Sequence, residues 1–127
     1  MLLPFRFIYS VFISIMIFGL LLGCQNKSLP VPNPGSIIKI TVMEYKSRKV
    51  ITEHTDQNEI IKITDKINSA KKNGLSEPLP SPKNIIVFES HNKKIEFDYI
   101  HSLSKDILVE KGAQYQWEIA PINDLIF

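Results

Sequence analysis

The chain has 127 residues, enough for one domain, and its 15 Lys+Arg against 13 Asp+Glu leave it nearly balanced in charge. Arg6 is the one basic residue among the first 23, so 14 basic and 13 acidic groups lie beyond them. That balance excludes the clustered basic face a nucleic-acid binder needs, and no polybasic block flanks the apolar start. A single cysteine, Cys24, excludes an intramolecular disulfide.

From Phe7 to Gly23 the chain reads FIYSVFISIMIFGLLLG, 17 residues without a charge, with Arg6 and the amino terminus just before it. A short positive lead, an apolar stretch and small residues at its end are the pattern of a secretory signal. Leu21-Leu22-Gly23-Cys24 resembles the lipobox of bacterial lipoproteins. The resemblance implies that signal peptidase II recognises Leu21, Leu22 and Gly23 and cuts before Cys24. Residues 1–23 would then be a lipoprotein signal peptide, and Cys24 would carry a diacylglyceryl thioether. Two acyl chains at about 0.8 kcal/mol per buried methylene anchor stably where one does not. A thiol suits the attachment because its thiolate is a good nucleophile. The alternative is an uncleaved membrane span, since Phe7 to Asn26 is 20 residues without a charge. Arg6 on the cytoplasmic side gives that span the same orientation. Either way residues 28–127 lie on the extracytoplasmic face of the cell membrane.

Residues 25–36, QNKSLPVPNPGS, carry Pro30, Pro32, Pro34 and Gly35 and no periodic apolar pattern. With Cys24 they predict a tether over 24–36, reaching roughly 35 Å if extended. The domain is expected over 37–127. Ile38, Ile40 and Val42 alternate with Lys39, Thr41 and Met43, a strand with one buried face. A turn at Lys46–Arg48 leads to a second short strand, KVIT. The stretch TDQNEIIKITDKINSAKKNG predicts a helix with Ile60, Ile63, Ile67 and Ala70 on one stripe. Thr55 or Asp56 caps it, Glu59 completes a capping box, Lys71 and Lys72 face the dipole's negative end, and Asn73-Gly74 stops it.

LSEPLPSP, residues 75–82, is a proline-punctuated loop. IIVFES, apolar on both faces, is expected inside the sheet. His91-Asn92-Lys93 turns the chain into KIEFDY, with Ile95, Phe97 and Tyr99 inward and Lys94, Glu96 and Asp98 outward. DILVE, Lys111-Gly112 and QYQWEI form a last hairpin. Tyr115, Trp117 and Ile119 share one of its faces, while Gln114, Gln116 and Glu118 share the other. The expected fold class is α+β, an antiparallel sheet in the order β-β-α-β-β-β-β with one helix across one face. Its other face is expected to be wet and mixed in charge.

The lipobox at Leu21–Cys24, the IKITV strand, the isoleucine-striped helix ending AKKNG and the late KGAQYQWEI hairpin together resemble the small YhfM-like lipoproteins of Bacillus-type Gram-positive bacteria. What this implies is a lipid anchor and a small mixed domain, with no activity attached. The chain departs from that pattern at PINDLIF, where a terminal helix capped by Asn123 runs for one turn.

Signals for chemistry are sparse. His54, His91 and His101 match no zinc spacing, although the three loops that carry them could converge with Glu89 or Asp98. Solvent-exposed loop histidines are the plainer expectation. Ser102-Leu103-Ser104-Lys105 and Ser69-Ala70-Lys71-Lys72 both fit S-x-x-K, and two matches in one short chain read as chance. Glu96 and Asp98 sit about 7 Å apart on one strand face. As outward groups they are expected to be solvated and unperturbed, which does not suit a catalytic acid. Tyr115 and Trp117 are expected in the core. Leu75, Leu79, their prolines and Leu125-Ile126-Phe127 are candidates for an exposed partner patch. The expectation is a non-catalytic, lipid-anchored module without a cofactor or metal, bound to the membrane through Cys24 and to a membrane or envelope protein through its domain. A small-ligand or metal-binding envelope protein is the alternative.

Overall fold

In a computed structural model, residues 29–75 and 79–127 are described, and they form one antiparallel sheet with a three-turn helix across it. The strands are β1 (Lys39–Glu44), β2 (Val50–His54), β3 (Lys71–Gly74), β4 (Asn84–Glu89), β5 (Lys94–His101), β6 (Asp106–Glu110) and β7 (Tyr115–Ile119). Helix α1 (Gln57–Asn68) follows β2, and a single turn, α2 (Asn123–Ile126), closes the chain. Across the sheet the order is β2-β1-β4-β5-β6-β7-β3.

β4 lies inside because Ile85, Ile86, Val87 and Phe88 are all buried, and it pairs over its full length with β1 and with β5. Ile40 and Val42 from β1, Ile86 and Phe88 from β4, and Phe97 and Tyr99 from β5 face the helix. Phe88 and Phe97 meet edge to face at 5.8 Å. Ile60, Ile63 and Ile67 of α1 are buried against them, the stripe the sequence spacing predicts. Asp56 is the N-cap, and its Oδ1 accepts the amides of Asn58 (2.7 Å) and Glu59 (3.2 Å). The turn before β2 places Arg48 in the left-handed region, φ 58°, and the β6–β7 turn places Gly112 there at φ 83°. Glycine reaches that conformation without a Cβ clash.

Three expectations need correction. The helix ends at Asn68, where the Ser69 amide bonds back to Asp65 and Lys66, and Lys71–Gly74 is a strand rather than the helix end. An unfilled edge on β7 decides this. Lys71–Gly74 pairs with Tyr115–Glu118, Lys72 Nζ sits 4.0 Å from the Tyr115 ring centroid, and Asn73 Nδ2 donates to Glu118 Oε2 (2.7 Å). The order is therefore β-β-α-β-β-β-β-β, followed by the terminal turn.

The second correction concerns residues 30–36, which belong to the packed domain although the prolines predict tether. Val31 is fully buried. Its amide donates to Asn68 Oδ1 (2.9 Å), and its carbonyl accepts from Asn68 Nδ2 (3.0 Å). One side chain at the helix end thus replaces the strand partner these backbone groups lack. A short 3-10 turn at Pro34–Ser36 then brings Ile37 into the core and feeds β1.

The third is the face away from the helix, which is mixed rather than wet. Thr41, Ile85, Val87, Ile100, Ile107 and Gln116 are buried on it, between Lys39, Glu96, Lys94 and Glu118. The terminal turn completes the other side, with Ile122 and Ile126 fully buried in the main core.

Candidate functional site

At the His101 end of β5 the cross-strand pair His101–Asp106 closes toward the β5–β6 turn. Asp106 is in phase with Leu108, so its carboxylate points into the core side and is fully buried. It is satisfied from three directions. Tyr99 Oη donates to Oδ2 (2.5 Å), the Ile122 amide donates to the same oxygen (2.8 Å), and His101 Nδ1 lies 2.6 Å from Oδ1. Burial, and then the Asp106 carboxylate, push the Tyr99 phenol far above its ordinary range, so it remains a donor. With Oδ2 already taken by two donors, Oδ1 receives the Nδ1 proton. This fixes the imidazole and leaves Nε2 for whatever lies beyond it. The Tyr99 and His101 rings are nearly parallel, centroids 6.4 Å apart.

Beyond the imidazole is a depression of about 450 Å³. Tyr99, Ile100 and His101 supply one wall, Pro80, Ser81, Lys83 and Asn84 a second, and Asn123 and Phe127 of the terminal turn the third. Of the two regions singled out in the sequence, Pro80, Ser81 and Phe127 meet at this place, whereas Leu75, Leu79 and Leu125 do not line the depression and Ile126 is buried in the core. Leu103, at the tip of the adjoining β5–β6 turn, is fully exposed, and half of Phe127 is exposed. The walls offer an ammonium, an oriented imidazole, two amides and a hydroxyl against aromatic and aliphatic surface, a combination suited to holding a polar group on an apolar body.

A second depression, of about 490 Å³, lies at the other end of β5. It is formed by residues 31–37 with Phe88, Ser90, Asn92, Lys93 and Ile95.

The remaining sequence candidates are scattered. His54 ends β2, with Nε2 2.9 Å from the Ile126 carbonyl and Nδ1 3.2 Å from Glu59, so Glu59 turns to the histidine at the helix start. His91 lies in the β4–β5 turn, at the opposite end of β5 from His101. Among the described residues no three His, Cys, Asp or Glu side chains gather as they would to hold a metal ion. Ser102 Oγ bonds to the Lys105 carbonyl while Lys105 Nζ reaches Glu118 (2.8 Å), and Ser69 Oγ bonds to the Lys66 carbonyl while Lys72 covers Tyr115. In both S-x-x-K stretches serine and lysine are engaged elsewhere. Trp117 is buried, in edge contact with Tyr115 at 5.8 Å.

Asp98 is not the unperturbed acid expected of an outward face. Glu96 pairs with Arg48 and lies 3.9 Å from Lys111. Asp98 is flanked across the strands by Ile85 and Val109. Burial there raises its pKa, Glu96 adds to the rise, and Lys111 and Arg48 oppose it. On Glu118 the Lys105 hydrogen bond acts the other way and holds the carboxyl below its usual range, with Gln116 and Asn73 assisting.

Sequence reasoning missed the Tyr99–Asp106–His101 cluster and Leu103. Asp106 carried a legible signal, an acid in the inward phase of DILVE, whereas Leu103 had none beyond being a lone leucine in a polar turn. Leu21, Leu22, Gly23 and Cys24 lie outside the described residues, and among those described no helix is long and apolar enough to cross a membrane. No protein-family profile, curated protein or solved structure matches the chain.

Proposed function

We propose that this chain is a lipid-anchored extracytoplasmic binding module. Cys24 bears the diacylglyceryl group after removal of residues 1–23, and the domain holds a membrane or envelope protein without doing chemistry on it. The supporting observation is the meeting of residues 80–84 with Asn123 and Phe127 at one end of β5, while the chain enters the domain at the other end. Seven residue steps along β5 separate the two ends by about 23 Å. Cys24 is six residues before Pro30, a reach of at most about 20 Å, so the anchor holds the entry end near the lipid and turns the depression outward. Exposed Leu103 and Phe127 at the outward end supply the apolar contact a protein partner needs. A small-ligand binder would draw on the same depression.

Photo-crosslinking in living cells tests this, with a probe at Ser81, a control probe at Ile61 on the exposed face of α1, and both repeated in Cys24→Ala. A discrete band from Ser81, missing from Ile61 and dependent on Cys24, is expected. No band from Ser81 in either strain would remove the protein-partner reading. Full mass and unchanged membrane attachment in Cys24→Ala would replace the lipid anchor with the uncleaved span.

A further inference from the structure

We infer that the depression at the entry end is a seat for the phosphate-bearing headgroups of an anionic bilayer, so that the domain rests on the membrane instead of swinging on its tether. The inference depends on the lipid-anchored reading and adds a second membrane contact to it. Pro30 and Val31 are buried in the domain, which leaves residues 25–29 between them and Cys24. The wall of the depression begins at Val31, so its rim lies within about 20 Å of the acyl chains.

The rim is chemically one-sided. Lys93 makes no ion pair among the described residues, and neither the Asn33 side chain nor Asn92 Nδ2 has a partner there. No carboxylate side chain lines the depression. The acids at this end of the sheet are occupied. Glu89 lies between Lys39 (3.6 Å) and Lys94 (3.9 Å), and Asp56 caps α1. Both segments that carry the donors are held in place. The Lys93 carbonyl accepts from the Ser90 amide (2.9 Å) and from Ser90 Oγ (3.2 Å), while the Asn33 carbonyl accepts from Ser36 Oγ (2.7 Å). An ammonium and two free amides with no acid among them favour phosphate oxygens. Exposed Pro32 and Pro34 and half-buried Ile95 supply the apolar surface for the glycerol and the methylenes next to it. A volume of about 490 Å³ admits a headgroup and not a pair of acyl chains.

The test places the acylated mature chain in nanodiscs of phosphatidylcholine, with or without phosphatidylglycerol. A nitroxide is attached at His91→Cys, or at Ser104→Cys as the outward control. Cys24 is blocked by its lipid, so each introduced cysteine takes the label alone. Relaxation of the nitroxide by a nickel chelate on a lipid headgroup reports the fraction of domains seated. Stronger relaxation at 91 with phosphatidylglycerol is expected, with none gained at 104. Lys93→Glu should lower the ratio of seated to free domains about fivefold or more, the worth of one lysine at an anionic surface. Lys62→Glu on α1 should leave it unchanged. Equal relaxation at 91 in both bilayers overturns the inference, as does an equal effect of the two lysine variants. Release of the label by free glycerophosphoglycerol or inorganic phosphate would make the ligand a soluble phosphate and overturn the seat as well. If the Ser81 crosslink forms while relaxation ignores the lipid, the seat falls and the binding module stands. A mature chain without lipid on Cys24 removes the anchor and the seat together.

Discussion

The two ends of β5 solve the same problem with opposite materials. At the entry end a strandless segment is pinned by apolar burial of Val31 and by one amide, Asn68, that satisfies both of its backbone groups. At the His101 end a buried carboxylate collects a phenol, an imidazole and the amide that starts the terminal turn. An apolar plug tolerates small shifts, because dispersion and burial have no direction. Directional hydrogen bonds to a buried acid fix Tyr99 and His101 in one arrangement, which suits an end proposed to present a side chain to a partner. Rigidity of position is concentrated where recognition is proposed, and adaptable packing where the chain arrives.

Mutation of Asp106 bears hardest on that contrast. Asp106→Ala strands the Tyr99 hydroxyl and the Ile122 amide in the interior, and it should cost about 3 kcal/mol or more in denaturant unfolding. Amide exchange should rise first in residues 122–127, while Val31 keeps its protection. Uniform loss of protection at both ends would show that they are not separate devices. Asn68→Ala is the matching change at the entry end. It removes two hydrogen bonds from Val31, so about 2 kcal/mol is expected, with exchange rising in residues 30–37 and the His101 ring signal unmoved.

Between the ends, the core of α1 carries one flaw. Thr64 Oγ1 is buried with no partner among the described residues, so Thr64→Val should raise stability by about 1 kcal/mol without touching either end. The smallest effect is on the open face. The raised Asp98 pKa means that folding disfavours its ionised form, so its contribution is present below the ordinary carboxylate pKa and is lost as pH rises through the folded value. Asp98→Asn should therefore raise the melting temperature slightly at pH 7, and the gain should vanish near pH 3. A gain that persisted in acid would assign the effect to packing.

Local patterns made much of the fold legible. The isoleucine spacing of α1, the alternation of β5 and the doubly apolar β4 each depend on a residue's own neighbours, and the structure has them; in β1 Ile40 and Val42 are buried as expected, but Ile38 is exposed ahead of the strand and Thr41 is buried on the opposite face. What escaped depends on distant ones. KKNG has the composition of a helix end, and only the vacant edge of β7, more than 40 residues on, makes it a strand. Val31 lies among prolines that read as tether, and only Asn68 shows otherwise. At the candidate site Phe127 alone, of the apolar residues singled out in the sequence, lines the depression, while Leu75, Leu79, Leu125 and Ile126 do not. Its meeting with Pro80 and Ser81, and the acid that organises the site, required the pairing of β5 with β6.

The antiparallel register of β1 and β4 has a mechanical consequence. The chain from the entry end joins β1 at Lys39, and the loop that walls the depression joins β4 at Asn84, at opposite ends of six paired residues. In the proposed anchoring, a pull between membrane and partner would therefore slide these two strands along each other and load the whole ladder at once. Strands pulled apart from one end would lose their hydrogen bonds singly. A domain wired in this way stays folded under a tension that would unzip the same number of bonds.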